Sequence, residues 1–320
     1  MLLLFSINSG KLKPCKHFYV HLGMWRHIVL TGVAIFSIGM LFAQSKKHFT
    51  VNNTGRCKKV VLNYSSSSGT CYLGPTKKPE LFSVYGNKDI DEYNHYFDQK
   101  IRDNVCTIDL KIEDKSTESF SQSISYKMFR KSKDFNESLW KVYLSEDKSY
   151  RLNLNYGIGE AYIDLSGLSI KHLRINTGSA DVHVGYLSGI GNPIIMDTLK
   201  ITVDLGSLQI RKGTLSNAKV IIAEVGFGNA YLDLSGKPDI SSYINASVGA
   251  GNLEVVVPRT GTGVKVIIHQ SLLCQVKLSK SFTETDTDIF VNEYYEEGAA
   301  GQLVFEVDVS LGNIIFKDKK

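Results

Sequence analysis

The sequence predicts an all-β chain: a single-stranded β-solenoid with a decorating or capping segment of strands and loops. Three observations carry this reading. A Gly-x-Gly motif recurs at steps of about 22 residues, the size of one solenoid coil. Apolar and polar residues alternate with period two after each copy, as in a half-buried strand. The 320 residues hold 27 Gly, 16 Tyr and 15 Phe but only 6 Pro, a composition suited to many strands joined by tight turns.

The chain opens on residues 1–43, read as a signal peptide. IVLTGVAIFSIGMLFA (28–43) is apolar and uncharged, follows Arg26 and precedes Gln44-Ser45-Lys46-Lys47. A basic flank, a short apolar run and a small residue at its end describe an export signal with cleavage after Ala43. Sixteen residues fall short of a comfortable membrane span, although an uncleaved anchor stays open. Met24 directly precedes Trp25-Arg26-His27, so a start there gives a signal of ordinary proportions. The formal charge of +5 belongs mainly to this segment, which carries Lys11, Lys13, Lys16, Arg26 and no acid. The rest holds 33 bases against 32 acids, scattered rather than striped, so no nucleic-acid partner is expected.

Residues 44–57, with Asn52, Asn53 and Gly55, read as a short flexible lead. Residues 58–147 read as an N-terminal coil with inserted strands. SGTCYLG places Gly69 on the repeat register, and then charged, aromatic stretches break it. TIDLKIEDKS and SISYKMF alternate as strands, and the segment 80–150 is expected to cap one end of the solenoid. Lys317-Asp318-Lys319-Lys320 is expected to serve the other end, leaving a monomer.

The clearest repeats lie in residues 148–320. YGIGEAYIDLSG (156–167) and VGFGNAYLDLSG (225–236) agree at eight of twelve positions. Weaker copies begin at Thr177, Asp204, Val248 and Ser310. The series runs Gly159, Ala180, Gly206, Gly228, Gly251, a degenerate Leu272 and Gly312. The glycines belong at coil corners, where backbones need unusual angles or close approach. Alternation predicts an inward face of Leu154, Ala161, Ile163, Leu165, Val182, Val184, Leu208, Ile210, Ala230, Leu232, Leu234, Leu253, Val255, Val257 and Ile314.

These residues, LNLNYGIGEAYIDLSGLSIKHLRINTGSADVHV (152–184) and VGAGNLEVVVPRTGTGVKVII (248–268) above all, resemble the toastrack domain. That domain occurs in bacterial cell-envelope proteins, including LiaF-type regulators of the antibiotic-induced envelope stress response. The resemblance covers about 148–320. It implies a single-stranded β-solenoid with no known enzymatic activity and transfers no site residues; with the export signal of residues 1–43, the expected location is the periplasm or cell surface of a bacterium.

Catalytic constellations are not found. There is no G-x-S-x-G elbow, and Gly261-Thr262-Gly263-Val264-Lys265 is too short for a phosphate loop. His48, His95, His172, His183 and His269 are not paired at metal spacing, so no metal or cofactor is expected. Cys71 and Cys274 fall by register in the inward column, where Cys behaves as a small hydrophobe, and a Cys57–Cys106 bridge stays open. Asp164 and Asp233 end strands in turn chemistry. The acids of the insertion 280–301 read as solvated loop charge and a candidate contact surface.

The expected role is therefore a non-catalytic scaffold or binding module of the envelope, with an envelope protein or glycan as partner and no stable membrane span after cleavage. Two alternatives stay open. One is a membrane-held stress regulator, which needs 28–43 to stay attached. The other is a polysaccharide-active enzyme using Asp164, Asp181, Asp204 and Asp233 along one groove.

Overall fold

The computed structural model describes residues 45–115 and 138–319. The apolar run 28–43 and the strand expected at SISYKMF lie outside the described residues.

Length and linkage dictate the local geometry. The strand β7 (Ser149–Asp164) has 16 residues and would measure about 50 Å if straight. Yet it is joined to its parallel neighbour β8 (Ser169–Gly185) by only Leu165–Leu168, which reach no more than about 18 Å. The strand must therefore run out, bend and run back. Burial shows where. Leu152, Leu154 and Tyr156 are buried before the bend, and Ala161, Ile163 and Leu165 after it. The buried parity switches from even to odd across Gly157–Gly159.

The same plan repeats in β2 (Lys59–Thr76), β9 (Met196–Arg211), β10 (Ala218–Asp233), β11 (Ser242–Val257), β12 (Val264–Lys277) and β15 (Leu303–Asp318). All pair in parallel, in the order β2-β7-β8-β9-β10-β11-β15-β12. The core fills the space between outgoing and returning legs, and all fifteen residues expected inward are buried. They belong mostly to the returning legs. The outgoing legs add Leu173, Ile175, Ile201, Ala223, Ile244 and Phe305, among others.

The bends fall in one column. Gly69 pairs with Gly159, Gly159 with Ala180, Gly206 with Gly228, Gly228 with Gly251, and Gly251 with Gly312. At Gly228 and Gly251 the φ angles are +143° and +145°, which side chains rarely adopt. A Cβ on Gly228 would overlap the carbonyl oxygen of Gly206, and one on Gly251 that of Gly228.

Two expectations about the C-terminal end are corrected. β15 sits inside the stack, between β11 and β12, so the C-terminal lysines cap nothing. The last long strand is β12, and β14 (Ile289–Asn292) and β13 (Phe282–Asp286), from the 280–301 insertion, extend its outgoing leg as an antiparallel hairpin. Leu272 does not hold the glycine place. A bulge between Gln270 and Leu273 sets Cys274 opposite Gly312 and Val276 opposite Ile314. Val276 therefore takes the inward column, and Cys274 is only half-buried, whereas Cys71 lies in that column opposite Ala161 and is buried.

At the other end, β2 is flanked by two short parallel strands. β5 (Val105–Asp114) pairs with its outgoing leg and β6 (Leu139–Ser145) with its returning leg. Antiparallel strands cover these in turn: β4 (Tyr93–Arg102) on β5, and β3 (Glu80–Gly86) on β6. β1 (Lys46–Asn52) pairs with β3. This corrects the flexible lead expected at 44–57. The turn signals there are real, since Gly55 has φ +75° and its N–H donates to Asn53, but they follow a strand.

Cys57 and Cys106 are joined by a disulfide that ties the approach to β2 to the start of β5 across 49 residues. In the loop-entropy account such a bridge is worth roughly 2–4 kcal/mol. Reduction, or Cys106→Ser, is expected to lower the denaturant midpoint accordingly. Superimposable unfolding curves with and without dithiothreitol would show that the bond contributes nothing.

Candidate functional site

Most polar side chains on the outer faces are spent on each other. Stacking equivalent strands in register places like residues one above another, and their amides chain together. Asn252 donates to Asn229 (2.8 Å) and Asn313 to Asn252 (2.6 Å). Asn153 donates to Asn63 (2.7 Å), which donates to Asp109 (2.7 Å). A second column stacks rings face to face: Tyr72 on Tyr162 at 5.0 Å, and Tyr162 on His183 at 4.8 Å. The Tyr162 hydroxyl donates to Glu160, and this hydrogen bond pushes its pKa up to about 12.

The four aspartates weighed as a carboxylate row are not brought into one column. Asp164 accepts from the Ser166 N–H (3.0 Å) and the Leu187 N–H (3.1 Å), which makes it a turn residue. Asp233 likewise accepts from the Ser235 N–H at 3.1 Å. Asp181 accepts from the N–H and hydroxyl of Ser207 (2.9 and 2.8 Å). Asp204 lines a shallow groove.

The five histidines are dispersed. His183 Nδ1 is 3.0 Å from Gln209, His269 Nε2 is 2.8 Å from Glu306, and His172 lies 3.5 Å from Asp197. His48 and His95 face the rings of Trp140 and Phe49. Burial lowers the pKa of His48 and of His172. Among the described residues no group of three or more His, Cys, Asp or Glu is placed to hold a metal.

An exposed apolar row lies along the bends. The residue just before the corner position is apolar in five adjacent strands, where register aligns Leu205, Phe227, Ala250, Leu311 and Leu273. Phe227 is 65% exposed and Leu273 68%. Beside this apolar ridge runs a shallow groove of about 390 Å³, lined by Asp204, Glu224, Gly226, Ser247, Gly249 and Asp308. The two glycines leave its floor without side chains. Burial opposes the charge of Glu224, but hydrogen bonds from Lys200 (2.8 Å) and Thr202 (3.0 Å) hold it below the usual carboxylate range.

The ridge was missed in the sequence reading, which registered the copies on their glycines. Its signal was there: an apolar residue set between two corner residues has no core to enter.

Residues 43–200 match the family model for the N-terminal domain of toast_rack, DUF2154. The match takes in β1 to β8 and the start of β9, including the part that breaks the repeat, and overlaps the 148–320 resemblance over 148–200. No curated protein matches the chain. A crystal structure of a candidate cell adhesion protein from Clostridium sporogenes aligns with 86% of this chain and 100% of its own, at 17% identity and a TM-score of 0.40. A likeness at that level carries neither fold nor role across.

Proposed function

The chain belongs to the toastrack-domain family, and from that premise we propose that it is an exported, non-catalytic β-solenoid whose bend ridge binds an envelope protein. The solenoid reading is supported by parallel register together with links as short as four residues, so that one long strand plus its link makes one coil. The Cys57–Cys106 disulfide fits a chain that matures in an oxidising compartment.

The exposed ridge carries the functional reading. Aligned large apolar side chains on a solvent face mark contact surfaces. A protein fits better than a glycan. Sugar recognition favours several open aromatic faces side by side, and the ridge carries one ring, Phe227, among aliphatic side chains. Asp204 and Asp308 alongside would favour a partner segment that carries Lys or Arg.

Photo-crosslinking residues placed at Leu205, Phe227 and Lys219, in the chain within its own envelope, test this. The two ridge positions should give the same discrete adduct, the exposed Lys219 none, and Leu311→Asp should abolish it. Adducts that do not distinguish ridge from Lys219 would remove the ridge as the contact surface. Turnover of an envelope polysaccharide by the purified chain would overturn the non-catalytic reading.

A further inference from the structure

We propose that the free edge of β12 pairs with the same edge of a second copy of this chain, closing two stacks into a dimer. It rests on the strand edge rather than on the ridge's partner, although Leu273 belongs to both surfaces.

The expectation of a monomer required both ends of the stack to be covered, and one is not. β14 pairs only with Lys265–Ile267, and the Ile268 N–H donates to Asp288 at 2.9 Å. Beyond that point, among the described residues, no strand pairs with the outer side of β12. The core is less covered at the same place, although Leu278, Phe282 and Phe290 pack against it nearby. Val264, Val266 and Ile268 on the outgoing leg are buried, whereas Cys274 and Val276 on the returning leg are only half-buried. Leu272 is fully exposed and Leu273 about two-thirds exposed.

A bare strand edge recruits another strand unless charge, proline or a covering element prevents it. The run Gln270–Val276 holds no charge and no proline, and the bulge lies at its start. The opposite end is guarded. Its outer strands run antiparallel, β4 exposes Lys100 and Arg102, and β1 begins with Lys46 and Lys47. A head-to-tail chain of copies would need two bare edges. With one, the contact must be with itself, and a two-fold contact closes.

The segment is complementary to itself. Opposed residues of an antiparallel pair share a face, so a two-fold axis at Gln275 sets Gln275 against its mate, Cys274 against Val276, and Leu273 against Lys277. The inward residues then extend the core across the junction, and no like charges meet.

Sedimentation equilibrium of the purified chain is expected to show a dimer. Leu273→Lys would set lysine against Lys277 twice and weaken the dimer about tenfold or more, while the dissociated chain keeps its circular dichroism spectrum and a cooperative unfolding transition, because the position faces solvent in a single copy. Leu273→Lys combined with Lys277→Asp should restore it, and Phe227→Lys should leave it intact. Gln275→Cys, in a Cys274→Ser background, should crosslink copies on oxidation. A monomer at every concentration overturns the proposal. So does a ladder of larger oligomers, or a dimer indifferent to Leu273→Lys.

Discussion

Gly228→Val should leave no cooperative unfolding transition, or one whose midpoint is displaced by more than about 4 kcal/mol. Two costs coincide there. The φ of +143° lies where a β-branched residue pays strain of order 1–3 kcal/mol. The new Cβ would also overlap the Gly206 carbonyl oxygen, which is fixed by the pairing of β9 with β10. Relief would require separating two strands and so breaking the ladder on which the next bend is built. Gly261 supplies the comparison. Its φ is +72° but nothing lies within 4 Å of an added Cβ, so Gly261→Ala should cost only about 1 kcal/mol. Equal losses at the two positions would mean that backbone strain alone, and not the stacking of bends, makes the column glycine.

Val255→Asp should be nearly as severe, and its severity should depend on pH. Val255 is fully buried between Leu232 of β10 and Phe316 of β15. An ionised carboxylate there has no partner, so burial must raise its folded-state pKa above the unfolded value of about 3.9. The folded state then holds the proton more tightly than the unfolded one. The variant is least damaged below pH ~4, where both states are protonated. It loses about 1.4 kcal/mol per pH unit as pH rises, until the folded pKa is passed. Val255→Asn has the same shape without the titration. The stability difference between the two variants should therefore widen from pH 4 to pH 7. A constant difference would mean that position 255 is wetted.

The repeat was legible because its constraint is local. Each bend brings two backbones together within a few residues, and from β2 to β15 the column is Gly, or at one place Ala180; at β12 Cys274 takes the place opposite Gly312 behind a bulge. Strand order was not legible, because pairing is decided between segments distant in sequence. Ser310–Lys317 and Val264–Lys277 both alternate, and nothing within either says which lies next to β11. What separates them is the bend. β15 turns at Gly312, while β12 turns with a bulge at 270–273, and a bulge this short leaves no residue signature. The lead was misread for a related reason. Asn52, Asn53 and Gly55 announce a turn, but the strand before it, Lys46–Asn52, gains its partner only from β3. Of the candidate site, the aspartate turns were readable from Asp-Leu-Ser-Gly. The ridge was not, since apolar residues were sought inside.

The threading of the last strands has a consequence for synthesis. A ribosome delivers β12 and its hairpin before β15, yet β15 is the neighbour that both β11 and β12 require. Until residue 318 has emerged, the edge of β11 stands open and some forty residues upstream have nowhere native to dock. The sixteen residues of β15 thus act as a keystone. A stop just before Leu303 would strand β12, β13 and β14 along with the missing strand, and so forfeit four of the fifteen described strands.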